Sequence, residues 1–481
     1  MLQLFNLKLY DQLMKMIQVL GTSSGAGKTT VSMALCRILS RQGYSVAPFK
    51  AMNMSLNSVI VEGEYEIARA QWLQAIAAKT DPSRYMNPLL LKPEGDGTSQ
   101  LIVLGKSIGK KGIKEYYDYL RSKGKGIVKE SIERLPEKYD VIIAEGAGSP
   151  AEINLLDSDI ANSFVSSIYG TPAILVGDID RGGVFASIYG TLMLMPNSEL
   201  VKWIIINKMR GDVSMLNPGI ERLENLISRK VIGILPYQSG FLPGEDSFDY
   251  EKPPVENDEI CVIRYPFMEN YSDVDPLVLS GKGFTFVTEK NINALDNAKL
   301  IILPGSKNVP ADLEYVKNTG IAEKLSERRG KALILGICGG YQILGSRIDY
   351  YGKSMSCLSF LKCHTEYREE KTTRSIRFKF AEGKYWSDGY EIHYGEVIND
   401  GEKPMNLTEL GYEGCISEDG TVFGTNIHNI LGNSDFFLRA VGEQSTGLTA
   451  RLESSIDAFA DTFEKNVNLS EIMEYLEEKS V

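Results

Sequence analysis

The stretch MIQVLGTSSGAGKTT, at residues 16–30, constrains the fold more than any other part of this chain. An apolar run typical of a strand leads into a glycine-rich turn, and the residues after the turn are typical of a helix. Glycines let the backbone curve so that several N–H groups face one anion, and the helix N-terminus adds partial positive charge. The stretch therefore predicts a phosphate-binding loop that holds ATP through Gly25, Gly27, Lys28, Thr29 and Thr30.

Three carboxylates are candidates to complete a Mg²⁺–nucleotide site at this loop. Glu145 ends the apolar run DVIIAEG, and Asp178 and Asp180 end the run ILVGDID. Because parallel strands end at the same edge of a sheet, these side chains are expected beside the loop. The prediction for the metal itself is Thr29 with Glu145, since hydroxyl and carboxylate oxygens suit Mg²⁺. Alternatively, the carboxylates are solvated strand ends and the loop is an ordinary glycine-rich turn. The loop also departs from the common pattern, because Thr22 replaces its first glycine.

Short apolar runs alternate with helical segments, which predicts a parallel sheet covered on both faces. In the first half these runs lie at residues 16–21, 44–50, 140–146, 172–179, 201–208 and 231–237. The alternation restarts at residues 260–266, 283–289, 299–305 and 332–338, followed by a more β-rich region. We predict a phosphate-loop domain over 16–240, a Pro-, Gly- and acid-rich linker over 241–259, a second domain over 260–445 and a helical tail over 446–481.

A single cysteine stands at the strand-to-helix corner of ILGICGGYQILG, residues 334–345. A nucleophile at such a corner needs small neighbours because the backbone is strained, and Gly336, Gly339 and Gly340 surround Cys338. A helix N-terminus favours the thiolate. The N–H of Gly339 and a second donor from LPGSKN, residues 303–308, would face a developing oxyanion. The alternative is that Cys338 is a small buried apolar residue.

The three histidines of the chain are the candidates for the base that a cysteine nucleophile requires. His428, in VFGTNIHNILGN, is favoured because it follows a short β-like run. His393 lies inside a probable strand, where a structural role is an equal alternative, and a structural role is preferred for His364.

Composition excludes several classes of protein. A formal charge of −11 argues against a general nucleic-acid or membrane surface. No run approaches the ~18–20 apolar residues of a membrane span. Six cysteines without CxxC pairs fit a reducing cytoplasm and argue against structural zinc.

Longer segments of the chain resemble known families. GICGGYQILG and GTNIHNILGN resemble the cysteine and histidine segments of class I glutamine amidotransferases, and the N-terminal half resembles the dethiobiotin synthetase group. Together with VAPFKAMNMSLNS, EIARAQWLQA, EGAGSPAEINLLDSDIAN and DIDRGGVFAS, the chain resembles the cobyric acid synthases from about residue 16 to 440. The resemblance implies an α/β fold, with a dethiobiotin-synthetase-like parallel-sheet domain followed by a flavodoxin-like amidotransferase domain.

The resemblance also implies a reaction. Cobyric acid synthases use ATP, Mg²⁺ and glutamine to amidate four peripheral carboxylates (b, d, e and g) of adenosylcobyrinic acid a,c-diamide, which gives adenosylcobyric acid. Ammonia would be released at Cys338 with His428 as base, and would attack an acyl phosphate. The implied partners are therefore glutamine and the corrin, without nucleic acid or membrane, and the oligomeric state is left open.

The sequence departs from this pattern at two positions. Many class I amidotransferases carry a glutamate two residues after the histidine, where this chain has Ile430, so we expect a Cys338–His428 dyad without an acid from that place. Asn429 replaces the usual glycine. Candidate corrin contacts, of which at least half are expected to be ordinary cap and turn residues, are Asn53, Asn57, Glu152, Asp157 and Asp159.

Three other proteins would share parts of this pattern. The a,c-diamide synthase uses similar domains on two other carboxylates. A partitioning ATPase has a related phosphate loop but no use for a thiol at a strained corner. A binding module that has lost its activity is disfavoured by the intact Lys28, Thr29, Glu145, Cys338 and His428.

Overall fold

The first half of the chain forms the parallel sheet that its apolar runs predict. A computed structural model describes residues 15–94, 97–135, 137–237, 255–444 and 447–478. The strands of the first half are β1 Lys15–Gly21, β2 Val46–Phe49, β3 Met52–Met54, β4 Ser58–Val61, β5 Tyr65–Ala68, β6 Leu89–Pro93, β7 Thr98–Val103, β8 Lys106–Gly112, β9 Val141–Glu145, β10 Ala173–Asp178, β11 Val201–Met209 and β12 Lys230–Pro236. Six of them pair in parallel in the order β12-β11-β10-β1-β9-β2.

Helices cover both faces of this sheet. They are α1 Lys28–Arg41, α2 Arg69–Ala77, α3 Ile113–Tyr119, α4 Lys125–Arg134, α5 Ser163–Tyr169, α6 Val184–Leu194 and α7 Asn217–Ile227. Short 3₁₀ turns lie at Arg84–Met86, Leu156–Ser158, Ser198–Leu200 and Val213–Leu216, and a π-turn lies at Leu120–Gly124. Two additions were not predicted: a second sheet of order β3-β6-β7-β8 and a β4–β5 hairpin.

The second half contains another mostly parallel sheet and a large antiparallel addition. Its strands are β13 Ile260–Ile263, β14 Met268–Glu269, β15 Thr285–Val287, β16 Leu300–Leu303, β17 Gly305–Ser306, β18 Leu333–Ile337, β19 Arg347–Tyr350, β20 Lys353–Ser356, β21 Cys363–Phe380, β22 Ser387–Asn399, β23 Asn406–Thr408, β24 Gly411–Glu413, β25 Cys415–Ile416 and β26 Val422–Thr425. The main sheet has the order β15-β13-β16-β18-β26-β25, in which only β25 pairs in the antiparallel sense. Strands β21 and β22 form a long hairpin.

The helices of the second half follow the same alternation and continue into the C-terminal segment. They are α8 Asp275–Leu279, α9 Val309–Asn318, α10 Ile321–Arg328, α11 Gly339–Leu344, α12 Ser434–Val441, α13 Leu448–Asn466 and α14 Ser470–Glu477, with 3₁₀ turns at Tyr271–Val274, Ile292–Asn297 and Ile430–Gly432. No helix in the described ranges is long and apolar enough to span a membrane.

The C-terminal helices return to the first sheet rather than trailing from the second. Leu452, Ile456 and Phe463 of α13 are buried in the core of the first half. Arg37, fully buried on α1, forms an ion pair with Glu453. The segment predicted as a helical tail is therefore a covering layer of the phosphate-loop unit.

The predicted strands agree with the structure to within a few residues at each end. The predicted linker, residues 241–259, lies mostly outside the described residues, which resume at 255. The domain limits themselves stay predictions.

Candidate active sites

The glycine-rich loop has the backbone that a phosphate site requires. Gly25 and Gly27 have positive φ angles of 71° and 99°, a region that favours glycine. A Cβ on Gly27 would lie 2.0 Å from Nδ2 of Asn207, so this position has no room for a side chain. Asn207 in turn donates to the carbonyl of Ala26 at 3.0 Å and holds the loop against β11.

Lys28 extends across the mouth of this loop. Its Nζ donates to the carbonyls of Ser23 and Gly148, both at 2.9 Å. A Cβ on Gly21 would lie 2.9 Å from the Lys28 side chain, so the glycine at the end of β1 leaves the space that the lysine occupies. The ammonium is thus held beside the loop amides, where an anion would bind.

Glu145 lies directly beside the loop, as predicted from the end of its strand. Its Oε1 accepts from the Thr29 hydroxyl at 2.7 Å and from Nζ of Lys50 at 2.6 Å. Its Oε2 accepts from Nε2 of Gln74 at 2.7 Å. Lys50 and Gln74 were not predicted, although Lys50 ends an apolar run at the same edge of the sheet.

A hydroxyl and a carboxylate in contact form a donor set that suits Mg²⁺. Thr29 and Glu145 both line the cavity next to the loop, so they fit the metal that a bound nucleotide would bring. No cluster of three His, Cys, Asp or Glu side chains suited to a metal occurs within the described ranges.

The other two acidic candidates are occupied by basic partners. Oδ2 of Asp178 accepts from Nζ of Lys208 at 2.9 Å, and the same ammonium donates to the Gly25 carbonyl at 2.6 Å. Asp180 is exposed and pairs with Arg210 at 2.6 Å, and this hydrogen bond lowers the pKa of Asp180. Asp178 therefore acts on the loop through Lys208, and Asp180 lies outside the cavity.

The cavity beside the loop has a volume of about 620 Å³. Its walls include Asn53, Glu152 and Asp159 among the five candidate corrin contacts. Asn57 is fully buried and does not line this cavity, and neither does Asp157. An apolar part of the wall comes from Met52, Tyr116, Tyr117, Leu120 and Leu156.

Cys338 stands at a strained corner between β18 and α11. Its φ of 52° and ψ of −108° are unusual for a residue with a side chain. The neighbouring glycines are required for space: a Cβ on Gly340 would lie 1.9 Å from the Leu303 carbonyl oxygen, and a Cβ on Gly339 would lie 2.6 Å from the backbone nitrogen of Ser306. The corner thus brings Gly339, the residue after Cys338, against Ser306 of β17.

His428 lies beside this thiol, fully buried. Burial alone would lower the pKa of His428, but the Asp273 carboxylate and the nearby Cys338 raise it to about 10. Its Nε2 is buried and makes no full hydrogen bond with a group in the described ranges. The ring stacks on Tyr390, with centroids 5.0 Å apart and planes at 14°.

The orientation of His428 comes from an acid that sequence reasoning missed. Oδ2 of Asp273 lies 2.8 Å from Nδ1 of His428, and Oδ1 accepts from the Asn429 backbone at 2.7 Å. Asp273 lies 155 residues earlier, in the turn Tyr271–Val274 after β14. Ile430, at the position of the usual acid, is buried and apolar. The expected absence of an acid at position 430 agrees with the structure, and Asp273, from another element, contacts His428 so that Cys338, His428 and Asp273 form a candidate triad.

Comparisons with known proteins match both halves of the chain. The family described as "CobQ/CobB/MinD/ParA nucleotide binding domain" matches residues 17–246, and "CobB/CobQ-like glutamine amidotransferase domain" matches residues 259–436. A probable cobyric acid synthase of Thermoplasma acidophilum is 59% identical over 463 residues, which covers 96% of this chain and 99% of that protein.

The chain belongs to the cobyric acid synthase family.

Two further members of the cobyric acid synthase family support the assignment. A probable cobyric acid synthase of Picrophilus torridus is 52% identical and a cobyric acid synthase of Clostridium botulinum is 40% identical, with 96% and 95% of this chain and 99% of each relative covered. With its nucleotide-binding unit and its amidotransferase unit, this member of the family is a glutamine-hydrolysing amidoligase. The predicted family, α/β fold class and enzyme class are confirmed.

The remaining histidines of this family member lie outside the triad. Nδ1 of His393 contacts the Gly395 carbonyl at 2.7 Å, and burial lowers the pKa of His393. His364 lies near the surface, with Nδ1 2.8 Å from Asp400. The preference for His428 over both as the base stays a prediction.

Proposed function

We propose that this chain amidates four peripheral carboxylates of adenosylcobyrinic acid a,c-diamide, with ATP as energy source and glutamine as nitrogen source. The observation that supports it is the presence in one chain of two complementary sites: Cys338 beside the buried imidazole of His428, and Lys28 at a phosphate loop that borders a large cavity. The first site would release nitrogen and the second would activate an acid.

Glutamine hydrolysis would begin with Cys338. His428 would take the proton of the Cys338 thiol, and Sγ would attack the side-chain carbonyl carbon of glutamine. The Gly339 N–H, with a donor from the Gly305–Ser306 strand, would stabilise the oxyanion. Nε2 of His428, which has no full hydrogen bond among the described groups, gives its proton to the leaving nitrogen, and ammonia departs. Water then cleaves the thioester and releases glutamate.

Amidation would take place at the cavity. A carboxylate repels nucleophiles, but transfer of the terminal phosphoryl group of ATP converts it to an acyl phosphate, with ADP released. Ammonia attacks the carbonyl carbon, and phosphate leaves with the oxygen that the nitrogen replaces. Lys28 would stabilise charge on the phosphates, Thr29 and Glu145 would hold Mg²⁺, and Mg²⁺ would neutralise phosphate charge.

The cavity fits a large substrate with polar edges. The polar candidates Asn53, Glu152 and Asp159 share its wall with apolar and aromatic side chains. Such a wall suits a macrocycle whose rim carries amides and acids and whose faces are apolar. We infer that these three residues face the corrin.

Mass spectrometry of the product tests the substrate assignment. Incubation of the enzyme with the a,c-diamide, ATP, Mg²⁺ and glutamine is expected to give a product in which four carboxylates have become amides. Two amidations of the fully acidic corrin would instead identify an a,c-diamide synthase. ATP hydrolysis without any corrin product would contradict both.

Asp273→Asn tests the triad. An amide in place of the carboxylate no longer fixes the proton on Nδ1 of His428, so we expect glutamine hydrolysis to fall about 10²–10⁴-fold. The imidazolium, whose pKa is about 10 with Asp273 present, should also lose its proton at lower pH. The basic limb of the glutaminase pH profile is therefore expected to move to lower pH, while amidation with added ammonium persists.

Asp400→Asn is a matched control for this substitution. It removes the same kind of histidine–carboxylate contact, at His364 near the surface. Both activities should remain. An Asp273→Asn enzyme with unchanged glutaminase rate and pH profile would contradict the proposed role of Asp273.

A further inference from the structure

A strongly basic segment of this acidic chain lies beside the cavity at the phosphate loop. Residues 106–125 contain seven Lys or Arg and two Asp or Glu, so their formal charge is +5, whereas that of the whole chain is −11. The segment comprises β8, α3, the π-turn Leu120–Gly124 and the first residue of α4. A local charge opposite in sign to that of the chain indicates a surface that attracts anions.

The basic segment forms one wall of the cavity. It contributes three side chains to the lining: Tyr116, Tyr117 and Leu120. The Tyr116 hydroxyl contacts the sulfur of Met52, another residue of the lining. At the end of the π-turn, Gly124 packs on the lining residue Ile160, since a Cβ on Gly124 would lie 3.3 Å from the Ile160 side chain. The segment therefore follows the cavity from α3 to the start of α4.

Several positive charges of this segment are not compensated. Three of its basic side chains are paired with carboxylates: Lys106, Lys110 and Arg121. The other four are at least partly exposed and form no ion pair within the described ranges: Lys111, Lys114, Lys123 and Lys125. Lys114 lies three residues before Tyr117, so the two side chains share one face of α3. Uncompensated positive charge thus lies next to the aromatic wall of the cavity.

The lining itself has no net formal charge. It contains three acidic and three basic residues: Glu145, Glu152, Asp159, Lys28, Lys50 and Lys208. Asp159 accepts hydrogen bonds from the backbone of residues 161–163, and Glu145 accepts from Lys50. A bound nucleotide would add negative charge to this balanced lining and would repel a second anion. The four uncompensated lysines oppose that repulsion.

The wall formed by α3 suits the corrin better than the nucleotide. The phosphates of ATP would have their own cation, Lys28, and the amides of the glycine-rich loop. The α3 wall instead offers two aromatic rings and a leucine, which suit the apolar face of a macrocycle. Lysines beside these rings are placed to attract carboxylates on the rim of such a macrocycle.

We propose that Lys111, Lys114, Lys123 and Lys125 attract the polycarboxylate corrin to the cavity, and that this attraction weakens as amidation proceeds. The inference rests on the proposed amidation and adds the surface that selects its substrate. Each step converts one carboxylate to a neutral carboxamide, so the corrin loses one negative charge per step. After four steps the product is attracted less than the substrate, which favours its release.

The double variant Lys111→Gln/Lys114→Gln tests the attraction. Added ammonium serves as nitrogen source, so glutamine hydrolysis does not contribute, and kcat/KM for the a,c-diamide is measured at saturating ATP. The ionic strengths are about 0.01 M and about 1 M, where the Debye length is about 30 Å and about 3 Å. We expect kcat/KM to fall at least about fivefold at low ionic strength and to change little at high ionic strength. The KM for ATP should stay the same.

The last amidation provides a second measurement on the same variant. A corrin that already carries three of the four new amides has three fewer negative charges than the a,c-diamide. Electrostatic attraction is weaker for this intermediate, so its kcat/KM at low ionic strength should fall less than about twofold in the variant.

Lys290→Gln/Lys331→Gln is the matched control. It removes two exposed lysines of the amidotransferase unit that lie outside the basic segment and outside the cavity lining. The net charge of the protein changes by the same amount, and kcat/KM for the a,c-diamide should stay near that of the unmodified enzyme.

Four outcomes would overturn the proposed attraction: an unchanged kcat/KM in Lys111→Gln/Lys114→Gln, an equal loss at both ionic strengths, an equal loss in the first and last amidations, or an equal loss in the control. A rise in the KM for ATP as large as that for the corrin would assign the lysines to the nucleotide instead. Failure of the unmodified enzyme to amidate the a,c-diamide would contradict the proposed function itself.

Discussion

Cys338→Ser is expected to abolish glutamine-driven amidation and to leave ammonium-driven amidation near its original rate. The thiol serves only the step that releases nitrogen, and the phosphate loop and its cavity lie in the other unit. A serine hydroxyl beside His428 is a much weaker nucleophile toward an amide than a cysteine sulfur, so glutamine hydrolysis should fall at least about 10⁴-fold. The measurement is amide formation with glutamine and, separately, with added ammonium.

Cys357→Ser is the matched control for the thiol. Burial raises the pKa of Cys357 to about 12, and its thiol contacts only the Met355 carbonyl among the hydrogen bonds described for it. This thiol has no imidazolium to favour its ionised form, so the control should keep both activities. Loss of ammonium-driven amidation in Cys338→Ser, with a folded protein, would show that the two sites do not divide the work as proposed.

The sequence predicts the two parallel sheets well because each strand is buried on both faces and is therefore a nearly continuous apolar run. The sequence predicts the β21–β22 hairpin only as a β-rich region, because charged residues such as Arg368 and Glu369 interrupt the apolar pattern of β21. The layer formed by α13 was predicted as a helix but not as part of the first unit. Its contact between Glu453 and Arg37 joins residues that are 416 positions apart.

The site residues also differ in whether the sequence predicts them. Local motifs predict Lys28, Thr29 and Cys338, because each of these residues lies within a few positions of the glycines and of the helix start that form its motif. Asp273 has no local signal, since only the packing of the turn after β14 against His428 brings its carboxylate into contact. Asn57 was one of five candidate corrin contacts because the segment NMSLNS follows a strand near the loop. The structure buries its side chain directly before β4, outside the lining of the cavity.

Lys28→Ala is expected to stop amidation from either nitrogen source while glutamine hydrolysis continues. The lysine ammonium is fixed by the carbonyls of Ser23 and Gly148 at the loop, where it would bind the phosphates of ATP. Without it, charge that develops during phosphoryl transfer is uncompensated, and amidation should fall at least about 10³-fold. The rate of corrin amidation with glutamine and with ammonium is compared with the rate of glutamate release.

Lys202→Ala is the matched control for Lys28→Ala, because it removes a positive charge elsewhere in the same unit. Lys202 is an exposed residue of β11 in the same unit, outside the cavity lining, so its removal should change neither activity. Continued hydrolysis of glutamine in Lys28→Ala would show that Cys338 and His428 work without a functional phosphate loop. Ammonium-driven amidation at the original rate in that variant would contradict the loop assignment.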